Sequence, residues 1–96
     1  MATKYAYQVV PATTPAKVGQ TGARILRGVV IYPAAAVTKV EFKNAATDTG
    51  TVLLTLQGAA NGASAFYDLS ECGIDFSTAM FCKPVGSGAI VGVWYE

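Results

Sequence analysis

VTKVEFKNAATDTGTVLLTLQ, residues 37–57, is the stretch on which the fold turns. Among its first seven residues, Thr38, Val40 and Phe42 share one parity, and Lys39, Glu41 and Lys43 the other. Successive side chains of an extended chain point to opposite faces, so this alternation marks a strand with one dry face and one wet face. NAATDTG, residues 44–50, is rich in turn formers and reads as a hairpin loop. TVLLTLQ, residues 51–57, gives the next strand, with Val52, Leu54 and Leu56 facing one way and Leu53 the other. A loop this short joins antiparallel neighbours, since parallel strands need a crossover of a dozen or more residues.

The same punctuation recurs on both sides. KYAYQVV (4–10) reads as a first strand with Tyr5, Tyr7 and Val9 on one face, and ARILRGVVIY (23–32) is a long β-branched run stopped by Pro33. Downstream, Asn61-Gly62 is a strong turn dipeptide, SAFYDLS (64–70) a strand, and a further strand around 78–83 ends at Pro84 and the Gly-Ser-Gly turn at 86–88. AIVGVWYE closes the chain as a final strand. About seven strands at short, regular spacing, with no sustained helical apolar stripe, predict an all-β fold. The expected architecture is one antiparallel β-sandwich, jelly-roll-like, or a small barrel. PATTPAKVGQTG (11–22) carries two prolines and few large apolar groups, so residues 1–22 read as an N-terminal strand and extended attachment arm, and 23–96 as the body.

Several strands are apolar on both faces. In the last one Ile90 and Trp94 oppose Val91, Val93 and Tyr95; in 23–32, Ile25, Val29 and Ile31 oppose Leu26, Val30 and Tyr32, unless a bulge at Gly28 or Gly92 swaps the faces. One face fills a two-layer core, and the other calls for a cover. Composition points the same way. The 96 residues are 52% hydrophobic and only 14% charged, against about 25% charged in ordinary soluble domains. The expected partners are further copies of the chain, as a trimer or a dimer, together with a larger assembly. Aromatic and Arg side chains make the best interface anchors, and the candidates are Tyr5, Tyr7, Arg27, Tyr32, Trp94 and Tyr95.

Other functions find little support in the residues. Net charge is +1 with the basic residues scattered, so neither nucleic acid nor a membrane surface is an expected partner. The chain has no His, and Cys72 and Cys82 alone do not make a metal site. They read as free, partly or fully buried thiols of a reducing compartment. Asp68, Glu71 and Asp75 lack the spacing of a calcium loop. A cysteine nucleophile would have only Lys83 beside it, so no enzyme activity and no cofactor are expected. Aromatics on a β-sandwich also suit a sugar-binding surface.

Four segments carry a resemblance: RILRGVVIYPAA, VEFKNAATDTGTVLLTL, FYDLSECGIDFSTAMF and the ending IVGVWYE. From Arg24 onward, about three-quarters of the chain, their order resembles small virion structural proteins of tailed bacteriophages. The shared layout is a hairpin ending in GTVLLTL, a GI-F-TG-F segment and a terminal strand ending in Tyr-Glu; Ala79 stands where a Gly is common. The resemblance implies a capsid decoration (cement) protein that sits on the virion head as a trimer or dimer, binds the major capsid protein and is made in the host cytoplasm. A tail or fibre component binding a receptor or glycan is the alternative. The resemblance carries over no catalytic residue.

Overall fold

The computed structural model describes residues 5–11, 14–32, 39–57, 64–85 and 90–96. The described residues form nine strands and no helix: β1 (Ala6–Pro11), β2 (Ala16–Val18), β3 (Arg24–Tyr32), β4 (Lys39–Asn44), β5 (Val52–Gln57), β6 (Ala65–Asp68), β7 (Ile74–Phe76), β8 (Met80–Val85) and β9 (Ile90–Tyr95). One sheet has the order β1-β9-β3-β6, with β7 also pairing β3; the other runs β2-β8-β4-β5. All pairings are antiparallel. Setting β7 aside, the pairs β4–β5, β3–β6, β2–β8 and β1–β9 join strands from the middle of the chain outward. The chain is one long hairpin, wound so that successive pairs fall in alternate sheets. That winding is the jelly roll, and the expected antiparallel sandwich is what the residues form.

The hairpin read from residues 37–57 is the hub of this winding. Val40 and Phe42 are fully buried, as their parity requires, while residues 37 and 38 lie outside the described set. Lys43, read as wet, is only 8% exposed. A register shift between Phe42 and Lys43 marks a bulge, and the Lys43 ammonium donates to the Asp48 carboxylate (2.5 Å) and to the Asp48 carbonyl (2.8 Å) across the hairpin loop. Its stem is covered while its charge stays paired, which is how a lysine tolerates burial. The core between the sheets combines Val10, Leu26, Val29, Ile31, Val91 and Val93 from one sheet with Val18, Val40, Phe42, Met80 and Cys82 from the other, and Phe76 closes one end.

Two departures from the sequence reading have local causes. Residues 1–22 read as a first strand and an extended arm outside the body; the first strand is present as Ala6–Pro11, but it pairs with β9, and Ala16–Val18 with β8, within the same sandwich. Val10 and Val18 are fully buried. Pro11 ends β1 and Pro15 precedes β2, places where a missing N–H costs no ladder bond, so the prolines bound the strands. Short strands β2 and β7 also raise the expected seven to nine. The second departure is in β3. A shift between Leu26 and Gly28 swaps the faces, so Leu26, Val29 and Ile31 point into the core while Gly28, Val30 and Tyr32 face outward. No such shift occurs at Gly92. The turns expected at Asn61-Gly62 and at 86–88 lie outside the described residues.

Candidate functional site: an aromatic sheet face

The two outer faces of the sandwich differ in chemistry. On the β2-β8-β4-β5 sheet, Lys39 faces Glu41 at 3.5 Å, and Asp48 takes both Lys43 and, at 3.0 Å, Lys83. These two cations hold the Asp48 carboxyl below its ordinary range, Lys43 first and Lys83 second. This is a charged, internally paired, solvated surface.

The other sheet shows the opposite character. Val10 points into the core from β1, so Tyr7 and Val9, of the other parity, point outward. From β9 the outward side chains are Ile90 and Trp94, from β3 Val30 and Tyr32, and from β6 Phe66. Register brings them together: Tyr7, Trp94 and Gly28 share one row across three strands, Val9, Gly92, Val30 and Phe66 the next, and Pro11, Ile90 and Tyr32 a third. Tyr7, Val9, Tyr32, Phe66 and Ile90 are all more than 40% exposed, Phe66 the most at 61%. Folding therefore leaves a contiguous apolar face in water, at a cost that scattered single residues would not explain.

The rings on this face are seated. An added Cβ on Gly92 would lie 2.8 Å from Tyr7 Cε1, so the absence of a side chain there lets the Tyr7 ring rest on the sheet, while Trp94 lies in ordinary contact over Gly28. Aromatic rings laid over strand glycines restore the packing that glycine lacks. Tyr7 and Trp94 pack with centroids 4.6 Å apart, and Phe66 meets Trp94 edge-on at 5.8 Å. Desolvation, then the neighbouring Tyr32 hydroxyl, raises the Tyr7 phenol above its usual range.

Arg27 stands at the rim, at the β3 bulge. Its Nε donates to Glu96 Oε2 at 2.5 Å, Nη1 donates to the Ser70 carbonyl at 3.1 Å, and the guanidinium lies 5.8 Å from the Tyr5 ring centre. It ties the end of β9, the turn after β6 and the entry to β1 to one point. Beside it a shallow cleft of about 190 Å³ opens between Tyr5, Phe66 and Trp94, with Asp68 at its edge. The Ser70 hydroxyl and then the Ser70 N–H stabilise the Asp68 carboxylate and lower its pKa.

Of the six anchors read from the sequence, Tyr7, Tyr32 and Trp94 lie on this face, and Tyr5 and Arg27 form its rim. Tyr95 does not join them. Its parity is that of Val91 and Val93, and it packs inward against the core beside Gly19. Phe66, Val9 and Ile90 belong to the face but were not among those anchors; the signal available was parity, since Phe66 alternates with Tyr67, which packs inward against the core. Cys82 is buried as expected, whereas Cys72, on the turn after β6, is exposed; both are free. Among the described residues no cluster of three or more His, Cys, Asp or Glu side chains is placed to hold a metal, and no helix is long and apolar enough to cross a membrane. Comparison with protein-family models and with curated proteins gives no match to this chain.

Proposed function

We propose that this protein is a non-catalytic assembly module, a capsid decoration protein of a tailed phage, whose aromatic sheet face docks on the major capsid protein of the head. The observation that carries the docking role is the cluster of exposed Tyr7 and Phe66 packed on half-buried Trp94. Rigid aromatic groups lose little entropy on binding and dominate interface energies. The phage assignment rests on the resemblance of residues 24–96. The jelly roll is used by viral capsid and lectin domains alike and does not choose between them. Four strands about 4.8 Å apart and roughly 20 Å long make a face of about 400 Å², half the ~800 Å² that each partner contributes to a standard interface. Docking through one such face is weak for a single copy, and copies joined in one oligomer would gain by avidity.

The test is co-sedimentation with purified phage heads lacking the protein. Wild type is expected in the head pellet, while Phe66→Ser and Trp94→Ala stay in the supernatant with unchanged circular dichroism. Equal pelleting of wild type and both variants would overturn the docking face. The cleft between Tyr5, Phe66 and Trp94, with Arg27 and Asp68 beside it, favours a second reading, a glycan-binding tail or fibre module. Saturable saccharide binding together with no affinity for heads would select it.

A further inference from the structure

Each sheet of an open sandwich has two edges, and an unprotected edge strand is a template for another strand. Three of the four edges here carry protection. β1 ends in Pro11, and its Gln8 side chain reaches the other sheet, donating to the Lys17 carbonyl (2.9 Å) and accepting from the Gly19 N–H (3.0 Å). β2 has only three residues, follows Pro15 and carries Lys17. β6 has four and ends in Asp68. β5 is the exception. VLLTLQ has six residues with no charge, no proline and no glycine, and no strand among the described residues pairs with its far side. Its one irregularity, the register shift that leaves Leu53 without a partner on β4, lies near its start and leaves Leu54–Gln57 regular. Val52 and Leu53 are 40% and 44% exposed, and Leu54 and Leu56 lie half-covered at the open flank of the core.

We propose that β5 is a self-association edge, along which two copies of this chain pair antiparallel about a two-fold axis normal to the sheet. The occupant is a second copy because the strand is complementary to itself. Such an axis keeps both inner faces on the same side, so residues of like parity stand opposite each other. In one such register Thr55 faces Thr55, and Leu54 of each copy faces Leu56 of the other. The half-covered leucines then close over a core that runs through both molecules. With no charge on either strand, nothing repels the pairing. The two sheets of four strands become one of eight, and both aromatic faces point to the same side of the dimer, since the axis is normal to the sheets.

The dimer is independent of head docking, and the experiment reads oligomeric state alone. Sedimentation of the wild-type chain from 1 to 200 μM is expected to show a monomer–dimer equilibrium. Leu53→Lys combined with Thr55→Lys places like charges opposite one another in either even register, on side chains outside the core. It is expected to weaken the dimer at least about tenfold with unchanged circular dichroism, whereas Trp94→Ala leaves it unchanged. A wild type monomeric throughout the range overturns the proposal, as does a double variant that dimerises as tightly as wild type. If the double variant fails to fold, hydrogen exchange of the wild type decides. Protection of the β5 amides must rise with protein concentration, and protection that stays constant also overturns it.

Discussion

At Cys82 the thiol lies in the core, where burial pushes its pKa up to about 12; at Cys72 the side chain is exposed on a turn. The thiolate is the reactive form, so Cys82 is held back by both ionisation and access, while Cys72 is open to reagent. Ellman's reagent at pH 8 should therefore titrate one thiol in the native protein and two after denaturation. Finding none or two before denaturation would contradict the placement. Asp48 sets a second residue-scale test. Lys43 and Lys83 hold its folded pKa below the unfolded value, which is about 3.9. Its stabilisation is thus fully present above that value and is lost as pH falls through the lower folded pKa. Asp48→Asn should lower the urea midpoint at pH 7, and the gap from wild type should close by pH 2. A gap that persists undiminished would mean the carboxylate charge is not what matters. Alternation alone made Val40 and Phe42 legible as core, because the opposite face of that strand is charged; in the last strand both faces are apolar, and only the fold shows that Val91 and Val93 are the buried ones. The burial of Lys43 and the exposure of Cys72 were not legible, because a bulge and a turn set them, and neither leaves a periodic trace.

At the scale of elements, most strands announced themselves, with their boundaries close to those read from punctuation. The segment after the first strand did not. Two prolines in PATTPAKVGQTG outweighed three residues of strand, and burial of Val18 depends on β8, more than sixty residues away in sequence. The consequence is measurable. A chain lacking residues 1–20 loses β1 and β2, one edge of each sheet, and two fully buried valines. Domains of this size hold only about 5–15 kcal/mol of stability, and uncovering the core along both edges should exceed that reserve. The truncated chain is expected to show no cooperative thermal unfolding. A cooperative transition with sheet-like circular dichroism would return residues 1–22 to the role of a dispensable arm. Bulges were half-legible: Gly28 and Gly92 were both possible sites, and only the pairing of β3 with β9 selects the neighbourhood of Gly28, leaving Gly92 to seat a ring.

The whole molecule is a slab of about 35 × 34 × 17 Å with one charged face and one aromatic face. The low charge and two-faced strands of the sequence already called for a cover. Which face stays bare follows only from the winding, because a strand's parity does not say which of its faces meets the other sheet. In the proposed function the bare face, with Tyr7, Phe66 and Trp94 at its centre, docks on the head. A reconstruction of the virion by electron cryomicroscopy at side-chain resolution tests it directly. The slab is expected on the outer surface of the head with these three rings buried against the major capsid protein. Density with the aromatic face turned to solvent and the lysine-bearing face against the shell, or density in the tail alone, would contradict it.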